Sequence, residues 1–171
     1  MRDIAEHIAK ALGAGHDVVL VTVVGSKGST PRNAGSQMLV SEAGLVCGTI
    51  GGGAIEGHAI AEARTMVGKD VCRVENLALR PQTENSIGMA CGGDAVLLYV
   101  PICAEDDAWA QVASHLLKCF ERRTPAYLAL ECREGGSPFK GTVALFDERG
   151  ALVAGDCGVS GEQLVGLKRK C

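Results

Sequence analysis

Aromatic side chains are scarce in this chain of 171 residues: one Trp, two Tyr and three Phe. Scattered as Trp109, Tyr99, Tyr127, Phe120, Phe139 and Phe146, they offer no stacking platform for single-stranded nucleic acid. Basic runs are missing apart from Lys168-Arg169-Lys170, and the net charge is −3, so DNA and RNA find no electrostatic footprint. No apolar stretch is long enough to cross a membrane. The chain carries no Gly-x-Gly-x-x-Gly fingerprint, no phosphate loop ending in Gly-Lys-Ser/Thr, and no Gly-x-Ser-x-Gly elbow. Its four histidines include no His-x-x-x-His pair, which argues against a hydrolytic zinc site.

The eight cysteines stand at 47, 72, 91, 103, 119, 132, 157 and 171, and no two form Cys-x-x-Cys. Zinc-ribbon, thioredoxin-like and iron–sulfur spacings are therefore excluded. Met1-Arg2-Asp3 leads into an amphipathic segment rather than an apolar leader, which points to the cytoplasm, where thiols stay reduced. Most of the cysteines sit in apolar runs and read as small buried hydrophobes. Cys91 is the exception.

Hydrophobic residues make up 47% of the chain, enough for a core of Val, Leu, Ile and Ala. Ile4, Ile8 and Leu12 predict a helix over 3–13, and Ile55, Ala59, Ala63 and Val67 predict another over 54–67. A third spans about 106–121, capped by Asp106 or Asp107, with Trp109, Val112, Leu116 and Phe120 on one stripe. Strands are expected at 18–24, 37–40, 45–50, 71–79, 95–100, 126–132, 142–146 and 151–154. Turns fall at 41–44, 135–138 and 147–150, and 80–93 reads as a loop. The fold class is α/β, a mixed β-sheet flanked by helices. Residues 1–103 form one unit, and 104–171 a smaller helix-plus-strands lobe on the same core.

Glycine is what the chain has in excess, 23 residues, concentrated in three segments. Gly48-Thr49-Ile50-Gly51-Gly52-Gly53-Ala54-Ile55-Glu56 runs from an apolar strand through three glycines into a helix. Converging backbone N–H groups and a helix N-terminus can hold an anion there. An empty turn fits the same residues equally well. Glu56, in the first helical turn, either complements the helix dipole or accepts N–H groups of a ligand. Gly28-Ser29-Thr30-Pro31-Arg32 follows a buried strand, where Ser29 and Thr30 offer hydroxyls and Arg32 a planar fork for phosphate or carboxylate. In Gly88-Met89-Ala90-Cys91-Gly92-Gly93, flanking glycines let the backbone present a thiol that can act as soft metal ligand or nucleophile.

Standing together in this order, the three motifs resemble the XdhC/CoxI family of accessory factors of xanthine dehydrogenase and related molybdenum hydroxylases. The resemblance is strongest over residues 18–101. It implies an accessory protein, not an enzyme with turnover, that binds molybdenum cofactor (molybdopterin, as mononucleotide or dinucleotide). Such a protein works with a cysteine desulfurase and passes the cofactor to a client hydroxylase. Carried onto this sequence, Cys91 contacts the cofactor or its metal, Gly51, Gly52 and Gly53 cradle it, and Ser29, Thr30 and Arg32 meet its anionic end. Glu56 accepts pterin N–H groups, and Gly92 and Gly93 line the same loop. Many family members continue into a C-terminal Rossmann domain, and this sequence reaches Cys171 without that fingerprint. The expectation is a short form or one half of a split pair whose Rossmann domain is a separate subunit. Homodimerisation would also close the pocket. Family members with a second thiol just after the triple glycine differ from this chain, which has Ala54. Two further readings stand beside this one: a small sulfur-transfer enzyme or oxidoreductase working through Cys91, and a non-catalytic interaction module.

Overall fold

The computed structural model describes residues 1–28, 30, 32–79, 92–132 and 141–158. The elements run α1 (Arg2–Gly13), β1 (Val18–Lys27), β2 (Gln37–Ser41), β3 (Gly44–Gly48), α2 (Gly53–Met66), β4 (Arg73–Ala78), β5 (Asp94–Ile102), α3 (Asp107–Arg122), β6 (Ala126–Glu131), β7 (Thr142–Asp147) and β8 (Leu152–Asp156). Five strands form one sheet in the order β3-β2-β1-β5-β4, and three form another in the order β6-β7-β8. The α/β class with helices flanking the sheet is as expected. Among the described residues every ladder is antiparallel, so the mixture expected of the sheet resolves into one direction of pairing.

The β-branched run of β1 is buried from Val18 to Val23, because it lies at the centre of the larger sheet and both faces are covered. Successive side chains alternate faces. Val19, Val21 and Val23 meet α2, joined by Met38, Leu97 and Tyr99. Val18 and Leu20 meet the opposite cluster with Leu39, Leu98, Val100 and Ile102. α2 buries Ile55, Ala59, Ala63 and Met66, and its two alanines let the helix lie close to the sheet. On the other face α1 packs on β2 and β3, α3 packs on β7 and β8, and the two helices lie against each other. Ile4, Ile8, Trp109, Val112, Val143 and Leu145 share this second core, which joins both sheets.

Local signals set the element ends. Asp106 accepts the Trp109 N–H at 3.2 Å and caps α3. Asp147 accepts the N–H groups of Arg149 and Ala151, each at 2.9 Å, and shapes the β7–β8 turn. β5 runs on through Pro101 to Ile102 instead of stopping before it. Pro101 lies opposite Val19, beyond the last β4 pair of Arg73 with Tyr99. There β5 has a single neighbour, the circumstance in which a strand tolerates a missing donor. The turn expected at 135–138 and most of the loop expected at 80–93 lie outside the described residues.

Two cysteines differ from their expected role as reduced core residues. Cys72, just before β4, and Cys132, just after β6, form a disulfide with Cα atoms 6.2 Å apart. The pair is 60 residues apart in sequence and meets only because the two sheets pack together. Cys47 and Cys119 are free thiols, and the Cys103 thiol donates to an Asp70 carboxylate oxygen at 3.7 Å.

Candidate functional site

Antiparallel pairing brings the three glycine segments to one end of the larger sheet. Lys27 at the end of β1 lies opposite Asp94 at the start of β5, and Ala78 at the end of β4 lies opposite the same Asp94. Met38 near the start of β2 pairs with Gly48 at the end of β3. The chain therefore leaves β1 into residues 28–36, leaves β3 into 49–53 and enters β5 through Gly92-Gly93, all at this end.

Backbone contacts tie these segments down. A register shift between Val23 and Gly25 bends the end of β1. Gly35 N–H donates to the Val23 carbonyl at 2.7 Å, and Val23 N–H to the Ser36 carbonyl at 2.9 Å, closing the first loop on its own strand. A Cβ on Gly28 would stand 3.3 Å from the Gly93 Cα, so the first and third segments are in contact through glycines. Leu79 N–H donates to the Gly93 carbonyl at 2.9 Å and Gly92 N–H to the Leu79 carbonyl at 3.1 Å. These bonds hold the two ends of the segment that contains Cys91. Cys91 itself, like Ser29, lies outside the described residues; its neighbours Gly92 and Gly93 mark where the chain emerges. Arg32 is exposed at this end, and the Thr30 hydroxyl donates to its carbonyl at 3.1 Å.

The triple-glycine turn contains an anion of its own. Gly51, Gly52 and Gly53 all have positive φ, at 132°, 72° and 63°, which a side chain would resist. Their path folds the backbone around Glu56. One carboxylate oxygen, Oε2, accepts the Thr49 hydroxyl at 2.5 Å and the N–H groups of Ile50 and Gly52, each at 3.1 Å. Gly51 N–H donates to the Thr49 hydroxyl oxygen at 3.1 Å. Burial pushes the Glu56 carboxyl up, but the Thr49 hydroxyl and the N–H groups of Ile50, Gly52 and Gly51 outweigh it and hold the group below its ordinary value. The anion cradle legible in the glycines is thus occupied by the chain itself. The N–H groups of Gly51 and Gly52 are committed inward. At the exposed start of α2, Gly53 and Ala54 supply first-turn donors that no carbonyl within the helix can reach.

Thr49 was not among the site residues expected from sequence. The signal for it is local: a hydroxyl two residues before the first glycine and a carboxylate seven residues further on. His58, which shares no face with Glu56, has a partner on β4. Its Nε2 lies 3.1 Å from Glu75 Oε1, while the buried Tyr99 hydroxyl donates to Glu75 Oε2 at 2.7 Å. Arg73 bridges Glu62 at 2.7 Å and Glu75 at 3.3 Å. Burial and the adjacent Glu75 keep the Tyr99 phenol protonated far above its usual range. This network braces α2 against β4 and β5. Elsewhere, burial first and the Asp3 carboxylate second push the Cys47 thiol up to about 11, so it is no nucleophile at neutral pH.

Residues 11–77 match the XdhC and CoxI family. That span holds Arg32, the triple glycine and Glu56 and ends before Cys91. The chain is 42% identical over 67 residues to the molybdenum cofactor insertion chaperone PaoD of Escherichia coli, covering 39% of this chain and 21% of PaoD. It is 35% identical over 74 residues to the uncharacterized Escherichia coli protein YqeB, covering 43% of this chain and 14% of YqeB. The fold is shared with a solved xanthine dehydrogenase from Bacillus halodurans: TM-score 0.67 at 17% identity, over 95% of this chain and 47% of that one. This chain therefore spans less than half the length of each of these proteins.

Proposed function

Because residues 11–77 of this chain match the XdhC and CoxI family, we propose that it is an accessory protein which holds molybdenum cofactor as cargo and helps deliver it to a molybdenum hydroxylase. The observation that supports this reading is that the described parts of the three glycine segments lie toward one sheet end, with Gly28 packed on Gly93 and Arg32 exposed in the stretch that follows Gly28. The donors present suit an anionic cargo. Arg32 offers a guanidinium fork, and the first turn of α2 offers N–H groups at its positive end.

Glu56 acquires a structural assignment within this proposal. It holds the turn open and orders α2, while Oε2 is spent on Thr49, Ile50 and Gly52. Pterin N–H groups would be left to its other oxygen. In this reading Gly53, Thr30 and Ser29 serve the phosphate end, and Cys91 takes the molybdenum or its sulfur. Partners in this scheme are the client hydroxylase and a cysteine desulfurase, with a Rossmann-domain subunit or a second copy closing the site.

The test is retention of pterin. The protein is purified anaerobically from a cofactor-producing host, and bound molybdopterin is read by the fluorescence of its oxidised form. Wild type should retain it; Arg32→Ala and Cys91→Ser should lose most of it while keeping the far-UV spectrum. Absence of pterin from the wild type under these conditions refutes the proposal. A persulfide found on Cys91 by mass spectrometry in place of bound pterin would favour sulfur transfer.

A further inference from the structure

On the face of the larger sheet opposite α2, we propose a second site: Asp3, His7 and Cys47 bind one divalent cation of the zinc class. One ligand atom from each residue lies within 4.8 Å of the other two. Bonds of about 2.0–2.3 Å to a tetrahedral zinc place ligand atoms about 3.5 Å apart. The three atoms thus need to close by roughly 1 Å, and Asp3 and His7, with side chains 66% and 36% exposed, are free to turn.

The backbone sets up the cluster. Asp3 and His7 are four residues apart and share a face of α1. Cys47 lies on β3, and its neighbour Gly48 lets α1 approach: a Cβ there would meet Ile4 Cδ1 at 3.0 Å. His7 Nδ1 lies 2.8 Å from the Asp3 carbonyl oxygen, which can only accept. Nδ1 therefore carries the proton, and it also faces Asp3 Oδ1 at 3.4 Å; Nε2 keeps the lone pair and reaches a metal between Asp3 and Cys47 once the ring turns. Histidines that bind metals are oriented by this type of backbone bond. Thiolate, imidazole and carboxylate together suit zinc or cobalt rather than calcium or magnesium. On binding, the Cys47 S–H bond breaks, its proton passes to solvent and a sulfur–metal bond forms; nothing is oxidised or reduced. Water completes the tetrahedron. The site is independent of the proposed cargo function, since it faces α1 and not the α2 side.

Cobalt(II) titration of the full chain under anaerobic conditions, with the Cys72–Cys132 disulfide intact, tests this. Wild type should take up one equivalent and show thiolate-to-cobalt charge-transfer absorption, and zinc should displace it. Cys47→Ala should abolish that absorption. Asp3→Asn, at an exposed position, and His7→Gln, at a half-buried one outside the core, should each weaken cobalt binding at least about tenfold. Wild type without the thiolate band overturns the proposal, and so does a band of equal strength in Cys47→Ala, which would place the metal on other cysteines.

Discussion

Replacing Glu56 by Ala removes the acceptor around which the triple-glycine turn is built. Three donors lose their partner at once: the Thr49 hydroxyl and the N–H groups of Ile50 and Gly52. They are not equally costly. Ile50 is 1% exposed, so water cannot replace the carboxylate there, and an orphaned buried donor costs about 1–3 kcal/mol. Gly52 and Thr49 are half-buried and recover part of their bonding from solvent. Together with the loss of a negative charge near the start of α2, the expected destabilisation is about 2–4 kcal/mol. In a chain of this size that is a fall in Tm of about 5–15 °C. Glu56→Gln retains one acceptor oxygen and should lose roughly half as much.

The pH dependence has a definite sign. The Glu56 carboxyl is held below its ordinary value of 4.5 in the folded protein. Its contribution is therefore complete above about 4.5 and disappears as pH falls through the lower, folded value. Thermal unfolding followed by circular dichroism should show the full gap between wild type and Glu56→Ala at pH 7 and a shrinking gap as the pH is taken below 4.5. Equal melting temperatures at pH 7, or a gap that does not narrow in acid, would refute the view that a charged Glu56 organises the turn.

Other perturbations address other parts of the molecule. Gly48→Ala puts a Cβ against the Gln37 carbonyl oxygen and 2.9 Å from the Met38 Cα at a φ of 81°, so urea denaturation should show a loss of about 3 kcal/mol or more; an unchanged midpoint would contradict the β2–β3 register. Thiol titration in denaturant without reductant should find no more than six of the eight cysteines reactive, because Cys72 and Cys132 are bridged. Reduction should then destabilise the fold by up to about 4 kcal/mol, the chain-entropy value for a loop of this length, and eight free thiols before reduction would sink this. Glu75→Ala strands the Tyr99 hydroxyl and should cost more, in a melting experiment, than Tyr99→Phe, which removes the donor itself; the reverse order would count against a bracing role for the network.

Much of the architecture was legible because its signals are local. The every-fourth-residue apolar pattern of α1 and α2, the β-branched run of β1 and the Asp106 cap each depend on residues within a turn or two. Pro101 misled because proline's effect on a strand depends on whether a second neighbour needs its N–H, and a sequence does not show where a neighbouring strand stops. The disulfide misled for a related reason: apolar surroundings describe Cys72 and Cys132 correctly, but their meeting depends on how two sheets pack. The glycine turn was legible as an N–H-rich cradle. Its occupant was not, since Glu56 points back into the turn only once Gly51–Gly53 adopt positive φ.

By itself, the sequence determined that this is an α/β chain with an aliphatic core, no footprint for nucleic acid and three glycine-rich segments. Those properties follow from composition and short-range periodicity, which survive in any description of the chain. Only the tertiary structure decided that these segments lie toward one end of the sheet: pairing of β1 with β5 sets Gly28 against Gly93, and pairing of β2 with β3 sends the chain into Thr49 in the same direction. It also decided that the first anion in the triple-glycine turn is the protein's own carboxylate, and that Asp3, His7 and Cys47 converge. The first and last of these are long-range meetings that the sequence neighbourhoods do not announce; the second is local in sequence but depends on the positive φ of Gly51, Gly52 and Gly53.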